Sequence, residues 1–196
     1  MRRCKWLPLV WVLSLAACAS VPAQTVSGGA RVSAAAGWQR GFETQVYPAG
    51  IVTAMYGERA LSPRDAFFVR VGYNFTDRQD FGEHDHERGG GPGFGMAYRH
   101  RFASSDESGW FAGGRADLWI LQIDWSDDPS FMNPGGRIGS SDVTVFQPAA
   151  EVGYGWMRGQ GRLDLTLTAG AEINVGVAGE DVGEGAIVLL GVRYSM

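Results

Sequence analysis

Two sets of residues have types and spacing that could do chemistry. The first is His84-Asp85-His86-Glu87, with Glu83 and Asp80 beside it. Imidazole and carboxylate ligands at this density can hold a divalent ion such as zinc, which makes His84 and His86 the candidate metal ligands. A solvated acidic loop is the plainer reading of the same run. The second set is dispersed: Glu43, Glu58, Arg70, Arg99, Arg101, Arg115, Asp117, Glu151, Asp164, Glu172 and Arg193. These residues fall on the polar side of alternating segments, so they would meet on one shared face. Charges gathered away from water must pair, because a lone buried charge costs several kcal/mol. The expectation is a structural ion-pair network, with a narrow polar path for solutes as the alternative. Catalysis by a nucleophile lacks its parts. Only His84, His86 and His100 could serve as a base, and Ser104 and Ser105 follow His100 without completing a constellation. Arg88-Gly89-Gly90-Gly91-Pro92-Gly93 lacks the lysine of a phosphate loop and reads as a flexible return into a strand. The sequence predicts no enzyme and no cofactor.

The elements that must position these groups are strands. Eight segments are candidates, most of them alternating with period two. They fall at about 37–47, 51–60, 66–75, 93–103, 110–125, 142–157, 162–175 and 186–196. The third sets Phe67, Val69, Val71, Tyr73 and Phe75 against Phe68, Arg70, Gly72 and Asn74. The seventh sets Leu163, Leu165, Leu167, Ala169, Ala171, Ile173 and Val175 against Arg162, Asp164, Thr166, Thr168, Gly170, Glu172 and Asn174. The second has the weakest pattern. Connections after strands two, four and six are short, at 61–65, 103–109 and 158–161. Those after strands three and five are long, at 77–92 and 126–141, and the acidic one after strand seven is intermediate. Pro48-Ala49-Gly50 is a short exception. This alternation gathers the long loops at one end.

The start of the chain is a targeting segment. Arg2, Arg3 and Lys5 precede a short apolar stretch from Trp6 to Ala17, and Val21-Pro22-Ala23 forms a small-residue cleavage site. Residues 1–23 are therefore read as a signal peptide, 24–36 as a flexible lead and 37–196 as one domain. Leu15-Ala16-Ala17-Cys18 offers a rival lipidation site. Cys4 and Cys18 are the two cysteines, so cleavage after Ala23 leaves a mature chain without a disulfide. Removing the leader takes the formal charge from −4 to −7, which argues against a nucleic-acid partner. No later segment approaches the length of a transmembrane helix, about 18 apolar residues.

Alternation alone does not say which face points in. A soluble carrier barrel would hold its apolar residues inside. Three features favour apolar-out. The polar faces carry glycine and opposite charges, the apolar faces end in Tyr, Trp or Phe, and an apolar stripe runs to the final residue. That last stripe is Val188, Leu190, Val192, Tyr194 and Met196, with Gly191, Arg193 and Ser195 opposite. On these residues the chain resembles the small eight-stranded outer-membrane β-barrel proteins, the porin-like group of OmpX-type and OmpA-type barrels. The resemblance spans 37–196. Its most specific element is Leu190 to Met196, which looks like the C-terminal strand read by the barrel-assembly machinery through Val192, Tyr194 and Met196. That family usually ends in Phe, and Met196 departs from it. The resemblance implies an all-β, antiparallel, up-and-down transmembrane barrel in the bacterial outer membrane. Its implied partners are outer-membrane lipid, lipopolysaccharide and the assembly machinery. Asp124, Asp127, Asp128, Glu180, Asp181 and Glu184 would hold divalent cations beside lipopolysaccharide phosphates, or simply form a solvated rim. The implied role is non-catalytic, through surface loops that serve interaction or envelope integrity. A narrow channel and a lipid A-modifying enzyme are the alternatives.

Overall fold

The computed structural model describes residues 37–79, 82–104, 107–131 and 134–196. The signal peptide and the 24–36 lead lie outside the described residues. Eight strands make up the domain: β1 Gln39–Tyr47, β2 Gly50–Ala60, β3 Asp65–Gln79, β4 His86–Arg101, β5 Gly109–Asp127, β6 Arg137–Arg158, β7 Gly161–Ala178 and β8 Gly185–Ser195. Each pairs antiparallel with the next. β8 returns to β1, with Phe42 opposite Tyr194 and Val46 opposite Leu190, and the sheet closes into a barrel.

The outside is apolar. Val71 is 62% exposed and Leu190 52%, while Glu43 and Arg99 on the opposite faces are 2% and 1% exposed. Leu165, Leu167, Ile173, Val175, Val188 and Val192 are likewise exposed around the wall. Trp38, Tyr98, Phe102, Trp110, Trp156 and Tyr194 are outward aromatics near the ends of their strands on the short-turn side, as a membrane-interface girdle requires. Such a surface is stable only against lipid. A closed barrel suits lipid because every backbone donor and acceptor can pair between strands, with no edge left over.

Two expectations about connections change. The long loop expected at 77–92 is mostly strand, and strand also takes both ends of the one expected at 126–141. In the strand register Arg88 stands opposite Asp77 of β3 and Asp124 of β5, and Asp127 stands opposite Arg137 of β6. What remains between strands is 80–85 and 128–136. Arg88–Gly93 is thus part of β4 and not a flexible return. Its glycines leave room for large inward side chains from β5. A Cβ at Gly93 would strike the Trp119 ring, and one at Gly95 would strike the Asp117 carboxylate. Pairing of β4 with β5 lapses only at Gly91 and Pro92, where proline has no N–H to give.

The weak pattern of β2 also has a cause. Val52, Ala54 and Tyr56 point inward and are buried, so both of its faces carry apolar residues. The same is true of the outer half of β5. Trp119, Leu121, Ile123 and Trp125 point inward and pack with Tyr47, Val52, Val143, Val145, Val182, Ile187 and Leu189.

Leu167 lies near the middle of the lipid-facing stripe of β7 and is 49% exposed. Leu167→Arg should destabilise the barrel by about 2–4 kcal/mol in a bilayer. Urea unfolding from vesicles measures this, and an unchanged midpoint would argue that the stripe does not face lipid.

Candidate functional site

The place where the chain concentrates its chemistry is the lumen. An eight-stranded barrel has an interior just wide enough for side chains to fill. Among the described residues it buries seven arginines (Arg70, Arg78, Arg99, Arg101, Arg115, Arg162 and Arg193) and seven carboxylates (Glu43, Glu58, Glu87, Asp117, Glu151, Asp164 and Glu172). The two sets balance, so the interior is formally neutral.

The half nearer the short turns holds a continuous network. Arg193 Nη2 lies 3.0 Å from Glu43 Oε1 and 3.0 Å from Glu151 Oε2. Arg70 Nη1 donates to the other oxygen of Glu43 at 2.7 Å. Arg99 joins Glu151 at 3.1 Å to Asp164 at 2.7 Å, and Arg162 Nε donates to Asp164 at 2.7 Å. Asp117 sits between Arg70 Nε at 2.9 Å and Arg115 Nε at 3.1 Å. These two contacts are off-axis, so Asp117 is held by charge and not by aligned hydrogen bonds. Arg115 also donates to Gln45 Oε1 at 2.6 Å. Arg101 pairs with Glu58. Aromatic faces support the cations. Arg99 Cζ lies 3.8 Å from the Phe111 ring centroid and 4.6 Å from that of Phe68, and Arg193 lies over Tyr56 and Phe68.

Above this network sits the apolar cluster around Trp119, and level with its upper part, where Glu87 stands opposite Trp125, a second, smaller ionic group. Arg78 bridges Glu87 at 3.0 Å and Glu172 at 2.5 Å, and it donates to the Gly183 carbonyl at 2.6 Å. Gln147 links the layers, accepting from Trp119 Nε1 at 3.3 Å and donating to Glu172 at 3.3 Å. Glu87 also accepts from the backbone N–H groups of Glu83 and Gly183, both at 2.9 Å, and so ties two loops over the mouth.

All eleven charged residues assigned from sequence to the shared face are therefore inside and paired. Eight of them (Glu43, Arg70, Arg99, Arg115, Asp117, Glu151, Asp164 and Arg193) form one network. Three partners fell outside that set: Arg78, Glu87 and Arg162. Arg78 and Glu87 continue the inward parity of β3 and β4 past the point where the strands were expected to stop, so extending the alternation would have found them.

The candidate metal pair is not brought together. His84 is buried, its ring 4.1 Å from that of Trp125 and nearly parallel. Its Nδ1 lies 2.9 Å from Asp127 Oδ1 and its Nε2 lies 3.0 Å from the Asp181 carbonyl, so both ring nitrogens are engaged. His86 opens β4 and is exposed. Among the described residues no three His, Cys, Asp or Glu side chains converge as a metal group. The loop acids take other partners. Asp85 accepts from the backbone N–H of Asp128, Glu180 pairs with Arg137, and Glu184 accepts from the N–H of Asn174. His100 lies at the turn end and is bound to Asp65 at 2.8 Å. Val192, Tyr194 and Met196 all lie on the exposed side of β8.

No protein-family model matches the chain, and no curated protein matches it in sequence. Among solved structures it is similar to Neisserial surface protein A (NspA), with a TM-score of 0.50 and 13% identity over 80% of this chain and 94% of that one. The fold is that of a small outer-membrane β-barrel. The barrel is also similar to the N-terminal β-barrel domain of Pseudomonas aeruginosa OprF, with a TM-score of 0.42 and 12% identity over 81% of this chain and 96% of that one. For a major outer membrane protein from Thermus thermophilus the TM-score is 0.41, with 14% identity over 81% of this chain and 99% of that one.

Glu43 holds Arg70 and Arg193 at once, so Glu43→Gln leaves buried arginines short of a counter-charge. The expected loss is about 3–5 kcal/mol. Equilibrium unfolding in detergent or lipid measures it, and a loss under about 1 kcal/mol would show that water and not Glu43 satisfies those arginines.

Proposed function

We propose that this chain is a closed, non-catalytic barrel of the bacterial outer membrane that acts through its surface-exposed end. The observation that carries the proposal is the filled lumen. Among the described residues an ion-pair network fills the interior, and Gln147 and Glu172 carry polar contacts from its level past the apolar cluster around Trp119 to Arg78, so charged and apolar side chains pack against one another along the axis. Arginines clamped by carboxylates on several strands cannot step aside for a solute without leaving a charge unpaired. A channel is the weaker reading for that reason. Among the described residues no nucleophile and base are assembled to support catalysis.

The working surface is then the outer end. There β5 and β6 extend beyond the apolar band, from Gln122 to Asp127 and from Arg137 to Thr144, with polar residues on their outer face. Exposed acids crowd this end, and they suit cationic partners or divalent ions shared with lipopolysaccharide phosphates. Insertion would rely on β8, with Val192, Tyr194 and Met196 presented to the assembly machinery.

Planar-bilayer recording tests the closed state. The folded barrel should give no stepwise conductance at moderate voltage. Regular unitary steps that vanish with heat-unfolded protein would establish a pore instead.

A further inference from the structure

The two rims of the barrel differ in charge. At the outer end the exposed charged residues are mainly acidic, among them Asp77, Glu83, Asp85, Asp124 and Asp181. At the short-turn end, exposed arginines gather on one side of the wall. Arg40 lies on the outward face of β1 and Arg59 on that of β2. Arg40 is opposite Gly57, which puts Arg59 one outward position below it, beside Trp38. Arg64 stands in the turn between β2 and β3. That turn is set by Ser62, whose hydroxyl accepts from the backbone N–H groups of Arg64 at 3.1 Å and Asp65 at 3.0 Å.

None of these three guanidinium groups has an ion pair or side-chain hydrogen bond among the described residues, whereas every buried arginine is paired. The nearby acid does not serve them. Asp65 is taken by Ser62 at 2.5 Å, Tyr98 at 2.5 Å and His100 at 2.8 Å. The C-terminal residue Met196 bonds to the Arg40 carbonyl through its backbone N–H at 3.0 Å, but its carboxylate makes no ion pair with Arg40 among the described residues.

The interfacial aromatics Trp38 and Tyr98 mark the level of the lipid headgroups on this side. Outward arginines at that level meet phosphates, and the planar fork of arginine suits a phosphate oxygen pair. We propose that Arg40, Arg59 and Arg64 form a binding site for the phosphate of an anionic phospholipid in the periplasmic leaflet. Trp38 supplies the apolar wall against its glycerol and upper acyl chain. The site rests on the proposed outer-membrane reading, in which short turns lie in the periplasm and longer connections outside. It would give the barrel a preferred lipid, and it would hold the turn end at a fixed depth.

The test uses the mature barrel folded into nanodiscs of phosphatidylethanolamine with a minor fraction of phosphatidylglycerol. Lipids retained through detergent exchange are then counted by native mass spectrometry. The wild type should retain phosphatidylglycerol above its bulk fraction. The triple variant Arg40→Gln, Arg59→Gln, Arg64→Gln should lose that enrichment, at about fivefold per arginine. Arg88→Gln, at the outer end, should keep it. A wild type without enrichment, a triple variant that retains it, or a loss in Arg88→Gln alone would each overturn the proposal. A heat-modifiable gel shift on the same samples reports whether the barrel is folded, and protease access to the 61–65 turn in intact cells against cells with a permeabilised outer membrane reports orientation. Failure of the lipid site is thereby separated from failure of the barrel reading.

Discussion

Everything in this structure follows from one inversion. The side chains that would form the core of a soluble protein face outward, as Val71, Leu167 and Leu190 do, and the charges face inward. Lipid accepts the first arrangement at no cost. The second is permitted only if each interior charge finds an opposite partner, because the effective penalty for an unpaired buried ion is several kcal/mol. Seven arginines and seven carboxylates meet that condition. Arginine is suited to the task because it stays charged, forks between two carboxylates and lies flat on an aromatic face. Arg99 does all three, between Glu151 and Asp164 and over Phe111.

The same pairing decides what the barrel can do. A lumen cross-linked by Glu43, Glu151 and Asp164 ties β1, β6 and β7 to arginines on β3, β4 and β8. The wall is braced from within, and the proposed closed state follows from the same pairing. The apolar cluster around Trp119 adds a dry layer, and Glu87 with Arg78 binds the loops above it. The proposed function accordingly lies at the rims. The outer rim is acidic and extended by β5 and β6, and at the short-turn rim Arg40, Arg59 and Arg64 have no side-chain partner among the described residues.

Much of this was legible in the sequence because lipid makes the pattern coarse. A period-two alternation over β3, β7 and β8 distinguishes inside from outside residue by residue, and the charges on the minority face had to be interior once the majority face was assigned to lipid. What the alternation hid was the change of rule along the axis. Above the membrane the wall no longer faces lipid, so its outer face turns polar at Gln122, Asp124 and Asp142 while its inner face turns apolar at Trp119, Ile123 and Val143. The alternation continues there with its sense reversed. This is why the ends of β3, β4, β5 and β6 read as loops, and why Arg78 and Glu87 stayed out of the interior set. The histidines misled for a simpler reason. Two imidazoles one residue apart imply a shared ligand only if both turn the same way, and His84 turns inward onto Trp125 while His86 stays outside.

The measurement that tests the inversion most directly is tryptophan quenching by brominated phospholipids. Two variants would each retain one tryptophan, Trp156 or Trp119, with the others replaced by Phe. Trp156 is 43% exposed on the lipid side and Trp119 is 1% exposed in the lumen. Trp156 should be strongly quenched and Trp119 almost not at all. Quenching of Trp119 with Trp156 spared would mean that the apolar and charged faces are exchanged, and the closed, ion-paired lumen would have to be abandoned.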